Sequence, residues 1–357
     1  SKSGNTQYYT LDALLAVAAL RRTGCRLPVE LWHDSDPAFS AGTVIAVEDH
    51  ARQAGGGELL LRDLAEVEGG EGLQAYRISS FALLHSAFDE VLYLDADNIP
   101  VADPTQLFEL PEFKESGALF WPDAQVFRPA DAIWKILGCL SMPSRAVENG
   151  QMVLDRRRHW QGIELANFFN QRWADQAFKP PLYIFGDRDM HIYAWLALSA
   201  PFTMGPPLGL AGYLAHDGSF CGHSYLQFHP TRPDEVMFLH RTFAKLSLYR
   251  DGLGREPRAE ASKRLTGPAR DRLASESCDP HRHAHPIHSG HRFIDLNTTA
   301  ETSAAANLTL AGLLQVEQEL MQLRAEIATS TGLLPRWWFG WAEYAGKAAT
   351  KASLPRS

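Results

Sequence analysis

The residues best suited to chemistry in this chain are the two aspartates of Leu92-Tyr93-Leu94-Asp95-Ala96-Asp97-Asn98. An apolar run closed by turn-formers reads as a buried strand. Side chains alternate along a strand with period two, so Asp-x-Asp at its end puts both carboxylates on one side. Two carboxylates there repel unless protons or a cation intervene. A divalent ion that prefers hard oxygen ligands, Mn²⁺ or Mg²⁺, resolves the conflict.

A second apolar strand, Met237-Phe238-Leu239, ends in His240-Arg241, with Lys245 just beyond. An imidazole can serve the same ion as Asp95 and Asp97, which leaves coordination positions for diphosphate oxygens. Lys245 would meet a phosphate as a point charge. Gly186-Asp187-Arg188-Asp189 follows Tyr183-Ile184-Phe185. One of its acids could lie beneath a sugar and stabilise cationic character at the reacting carbon. Asp187 could equally cap a helix over 190–198. Glu148-Asn149-Gly150-Gln151 could bond sugar hydroxyls or form a plain turn before a strand at 152–154.

These groups need a scaffold. Helical spacing of apolar residues marks 10–22 and 76–86, and short apolar runs mark strands at 28–32, 88–94, 118–121 and 151–154. Strands alternating with helices predict an α/β domain with a mainly parallel sheet, ligands binding at the carboxyl ends of its strands. Residues 1–250 form this domain. Residues 251–292 are rich in Gly, Pro, Arg and His and read as a linker or long loop, its histidines (His281, His283, His285, His288, His291) being a solvated stretch. Residues 293–357 read as a helical, aromatic-rich appendage, with Leu313, Val316, Leu320, Leu323 and Ile327 at helical spacing and Trp337 to Tyr344 clustered after them.

Composition sets bounds. Of 357 residues, 45% are hydrophobic and 21% charged, with Lys+Arg 34 against Asp+Glu 42 and a net charge of -8. Such a chain has no general basic face for nucleic acid. It holds no apolar stretch long enough to span a bilayer. The four cysteines are widely spaced with no CxxC pair, which argues against a cysteine-based zinc site. The start at Ser1 suggests a fragment, and sequons at Asn297 and Asn307 permit a secretory-pathway location.

The ordered blocks resemble the fungal-type α-mannosyltransferases of glycosyltransferase family 71. They are Leu20 to Glu30, Ser86 to Pro100 with Asp103-Pro104, Gly117 to Asp123, Glu148 to Gln151 (Asn149 in place of Ser), Gly186 to Asp189, and Phe238 to Arg241 with Lys245. The resemblance covers about residues 4–250. It implies a GT-A-type, Rossmann-like mixed sheet flanked by helices, GDP-mannose as donor, Mn²⁺ (or Mg²⁺), and retaining transfer of α-mannose to a mannose hydroxyl of a glycan or glycoprotein. It implies Asp95, Asp97 and His240 as metal ligands, with Asp95 also near the donor, and Arg77, Lys245 and Gln151 as donor contacts. Glu148, Asp187 and Asp189 become the sugar-facing, catalytic candidates. It further implies a Golgi-lumenal, type II membrane protein anchored outside this segment. Alternatives are a UDP-sugar hexosyltransferase of the same fold and a non-catalytic glycan-binding protein on a decayed one.

Overall fold

The computed structural model describes residues 3–33, 49, 56–73, 77–127, 132–139, 143, 145–173, 189–214, 220–241, 291–295 and 301–302. The chain opens with α1 (Ser3–Arg22), longer than the apolar spacing predicts because no proline interrupts the polar first turns. Its second half is buried from Leu14 to Leu20, so this helix runs into the body. β1 (Val29–His33) and β2 (Leu59–Asp63) pair in parallel, Leu31 opposite Leu61. Arg21, buried at the end of α1, donates to the carbonyls of Cys25 and Glu58. Gly57 has a φ of +98°, a conformation that favours glycine, and a Cβ there would also meet that guanidinium at 2.6 Å.

Next come α2 (Arg77–His85), β3 (Glu90–Leu94), β4 (Asn98–Pro100), α3 (Pro111–Ser116), β5 (Ala118–Val126), α4 (Ile133–Leu137), β6 (Arg145–Asp155), α5 (Arg156–Phe168), α6 (Met190–Ala197) and β7 (Thr203–Met204). The rest is strand: β8 (Gly209–Leu214), β9 (Phe220–His229), β10 (Arg232–His240), β11 (His291–Asp295) and β12 (Glu301–Thr302). One sheet runs β3-β6-β5-β7 and a second runs β12-β11-β8-β9-β10-β4. No described helix is long and apolar enough to cross a membrane.

The architecture is mixed α/β, as expected, but strand direction differs in detail. β6 lies between β3 and β5 and is antiparallel to both, while β7 is parallel to β5. β3, β5 and β7 therefore share one direction and the inserted β6 opposes them. Among the described residues the second sheet pairs entirely antiparallel. Apolar runs report burial and not which strand lies beside which, so the insertion was invisible in the pattern.

Both faces of the first sheet are covered. Phe120, Met152 and Leu154 face α5 and α6 with Ile163, Ile192 and Trp195, and Phe120 meets Trp195 edge-on at 5.3 Å. Leu119, Trp121 and Val153 face the second sheet, where Trp121 packs on Phe238 at 5.7 Å and its indole N–H donates to the Phe228 carbonyl at 2.7 Å. The alternation at 119–121 is what a strand buried on both sides requires. Arg156, at the start of α5, fastens this layer to the chain before β3. Its guanidinium donates to the carbonyls of Leu83, Leu84 and Phe88, each at 2.7 Å, satisfying groups that the end of α2 leaves open.

β11 joins β8, with Ile294 opposite Leu210. The boundary expected at 292/293 falls inside this strand, which is too short to stand out beside a His-rich stretch. Leu313 to Ile327 and Trp337 to Tyr344 lie outside the described residues.

Candidate active site

β3 stops at Leu94, and Asp95-Ala96-Asp97 form a turn before β4. The Asn98 N–H donates to the Asp95 carbonyl at 3.0 Å and closes it. Two further bonds anchor it on β6: the Asp95 N–H and the Asn98 amide both donate to the Gly150 carbonyl, at 2.9 and 2.8 Å. Strand alternation is thus not what brings the carboxylates together. The chain must leave the β3 sheet and pair with β10 in the other, and the turn makes that change.

The β4–β10 register places Asn98 opposite His240. The Arg241 N–H donates to the Asp97 carbonyl at 3.0 Å. His240 Nε2 then lies 3.3 Å from Asp97 Oδ1 and 4.0 Å from Asp95 Oδ2. One ligand atom from each of Asp95, Asp97 and His240 falls within 4.8 Å of the others. Asp97 and His240 are buried, while the Asp95 side chain is 38% exposed and leaves the cluster open on that side. Tyr93 donates its hydroxyl to Asp95 Oδ1 at 2.6 Å.

The ring of His240 is held from behind. Its Nδ1 lies 2.9 Å from Glu148 Oε2, which also accepts from Gln227 Nε2 at 2.8 Å, and Glu148 Oε1 accepts the Gly150 N–H at 3.2 Å. A β-bulge opposite Phe120 and Trp121 carries residues 149–151 of β6 and turns this segment toward the ring. Gly150 has no room for a side chain, because a Cβ would strike Cε1 and Nδ1 of His240. Tyr225 meets the ring edge-on at 6.4 Å.

Burial by itself would pull the His240 pKa down, but the Glu148 and Asp97 carboxylates reverse this and hold it well above the usual imidazole range. Negative charge is therefore in excess here, with Asp95, Asp97 and Glu148 gathered on one imidazole. A hydrogen bond from Nδ1 to Glu148 leaves Nε2 for an ion, an outer carboxylate fixing the ligand's tautomer. Two carboxylate oxygens and one imidazole nitrogen, with an open side, fit Mn²⁺ or Mg²⁺. Arg241, buried beside this cluster, stays charged at neutral pH: burial lowers its pKa to about 9, opposed by Asp12 and then Asp97.

Of the remaining expected residues, Glu148 and Gln151 lie against this cluster. Glu148 lies within strand β6, not in a turn before one, and both its oxygens are engaged by the protein, Oε2 at the His240 ring. Gln151 is fully buried beneath the aspartate turn, where its Oε1 accepts from the Asn98 amide at 2.6 Å. This makes it a support of the turn. Asp189 immediately precedes α6 and is buried, with no side-chain bond to the helix end, so Asp189 and not Asp187 holds the N-cap position. Arg77 opens α2 half-buried, its carbonyl accepting from Gln171. Asp187 and Lys245 lie outside the described residues.

Gln227 and Tyr93 join the site without a role assigned from sequence, and Asn98, Asn149 and Arg241, read only as members of their motifs, gain specific partners. Gln227 is a fully buried amide between apolar neighbours of β9, a mismatch readable in hindsight. Tyr93 and Asn98 looked like ordinary strand and turn residues. Asn149 donates to His191 Nδ1 at 3.0 Å, with His191 wholly buried on α6. Arg241 stood in plain view beside His240.

Residues 3–144 match the mannosyltransferase family described as "Mannosyltransferase putative". The α-1,2-mannosyltransferase MNN24 of Candida albicans is 25% identical over 236 residues, 54% of this chain and 32% of that protein. MNN2 of the same organism is 35% identical over 118 residues, 32% and 19% of the two chains. MNN5 of Saccharomyces cerevisiae is 22% identical over 249 residues, 54% and 42%. The chain thus spans less than half the length of these relatives. Among solved structures, the galactosyltransferase LgtC with donor and acceptor sugar analogues overlays with a TM-score of 0.41 and 14% identity, covering 93% of this chain and 96% of that one. Residues 3–144 thus carry the segment of this mannosyltransferase family, and the chain is similar to these fungal α-1,2-mannosyltransferases over part of their length.

Proposed function

We propose that the chain carries the catalytic part of a metal-dependent, retaining α-mannosyltransferase that moves mannose from GDP-mannose to a mannose hydroxyl of a glycan. One observation carries this reading: Asp95, Asp97 and His240, from a turn and a distant strand, converge within ligand distance. The linkage we favour is α-1,2, the activity named for the three relatives. The expected Golgi-lumenal, membrane-anchored setting belongs to the same proposal.

Asp95, Asp97 and His240 would hold Mn²⁺, which when bound neutralises the charge that builds on a departing diphosphate. The protein's part is to fix those ligands before substrate arrives. Tyr93 orients Asp95, the Arg241 N–H and the β4–β10 pairing fix Asp97, and Glu148 with Gly150 fixes His240. Glu148 is thus a positioning residue. Lys245 would add a charge at the diphosphate, with Arg77 near the nucleotide. Asp187 would serve the reacting sugar, with Asp189 beside it at the head of α6.

The test is donor turnover by the full-length protein. GDP-mannose consumption that requires Mn²⁺ and falls at least about 1,000-fold in Asp97→Ala supports the reading, since the ion and the diphosphate contacts are lost together. Equal turnover by that variant refutes the metal assignment. Consumption of UDP-hexoses alone refutes the donor.

A further inference from the structure

The bulged part of β6 sends side chains to both faces of its sheet. On one face Glu148 holds the His240 ring and Gln151 holds the Asn98 amide. Asn149 reaches the other face, where its amide donates to His191 Nδ1 at 3.0 Å. His191 is the second residue of α6, a helix buried from Met190 to Trp195 and packed on β6. An imidazole in such surroundings costs free energy unless its nitrogens are bonded. Because Nδ1 accepts, the proton sits on Nε2, which meets no partner among the described residues. Burial keeps the ring neutral, with a pKa lowered to about 4. The one hydrogen bond of this side chain among the described residues is therefore the one to Asn149.

The segment it grips needs an anchor. Residues 149–151 pair with no residue of β5, since Phe120 stands opposite Met152 and Trp121 opposite Glu148. Yet the cation cluster leans on this segment three times. The Gly150 carbonyl accepts from the Asp95 N–H and the Asn98 amide, Gly150 lies against the His240 ring, and Glu148 orients that ring. We propose that His191 is a positioning residue of the cation site: by accepting the Asn149 amide it fixes the bulge from the helix side and so sets where Asp95 and His240 stand. The inference rests on the metal reading given above, and its test separates the two.

Mn²⁺ binding to the 357-residue chain is measured by electron paramagnetic resonance of the free ion at neutral pH, with urea denaturation of each protein in the absence of metal as control. Wild type binds one equivalent; if it binds none, the metal reading itself fails and this inference falls with it. Two variants of nearly equal shape are then compared, His191→Leu and His191→Asn. Both give up the volume of the ring, and both lower the urea midpoint. Only the asparagine keeps an acceptor oxygen for the Asn149 amide. His191→Leu binds Mn²⁺ about tenfold more weakly, the lower end of the range for losing an outer partner of a metal ligand. His191→Asn stays within about threefold of wild type. Wild-type affinity in His191→Leu overturns the proposal. So does equal weakening in both variants, which is the mark of a packing role alone. Should His191→Leu fail to fold, Asn149→Leu/His191→Leu, which leaves no amide to satisfy, takes its place with the same expectation. If that variant also fails to fold, the pair serves the core and not the cation site, and the proposal is overturned.

Discussion

His240 stands opposite Asn98 across the β4–β10 pairing, which sets its imidazole beside the carboxylate of Asp97, at 3.3 Å. The two residues belong to segments remote in sequence, and the pairing register alone brings them together. A slip of one residue would turn His240 to the opposite face of the sheet.

Glu148→Gln tests the support behind the ring. The substitution keeps shape but removes the charge that orients His240 Nδ1. Mn²⁺ affinity should fall about 10- to 100-fold, as read by calorimetric titration, with the fold intact by circular dichroism. Unchanged affinity would show that the imidazole is held without it.

Gly150→Ala should be more damaging than so small a change suggests. The new methyl occupies the space of the His240 ring, and the strand is pinned by the Asp95 N–H and Asn98 amide bonds to its carbonyl. Overpacking of this kind costs about 1–3 kcal/mol, measurable by urea denaturation, and should abolish Mn²⁺ binding as well. A variant with wild-type stability and metal affinity would contradict the close approach.

Arg156→Met should loosen the join between α2 and β3. It leaves three carbonyls without their charged donor, and a loss of about 2–4 kcal/mol follows from the cost of unmet or weakened buried bonds. Chemical denaturation checks this; a loss below about 0.5 kcal/mol, the range of neutral surface changes, would rule it out.

His191 gives the acid limb of stability a named contributor. Burial lowers its pKa from 6.5 to about 4. Between those values the unfolded chain takes up a proton that the folded chain refuses, so stability falls as pH drops from 6.5 toward 4 and is unaffected above that window. The ceiling is about 3 kcal/mol from the size of the shift. Wild type should therefore lose stability relative to His191→Phe across this range in paired urea melts, and parallel curves would argue against a neutral, buried imidazole.

How much of this was legible beforehand depended on whether the signal was local. The strand ending at Leu94, the helix near residues 77–85 and the candidacy of Asp95, Asp97 and His240 followed from apolar runs and residue type. Glu148 stands out by its block, but its partner His240 comes from another sheet and is not readable from spacing. Gln227 needed the bulge in β6 before its amide had anything to bind.

The turn at Asp95 to Asp97 joins β3 of one sheet to β4 of the other, and β4 finds its partner only in β10. During synthesis the acidic half of the cluster leaves the ribosome long before its histidine does. The nascent chain accordingly has no assembled ion cradle until β10 has emerged and docked, and truncated products ending before that strand carry the aspartates without the means to use them.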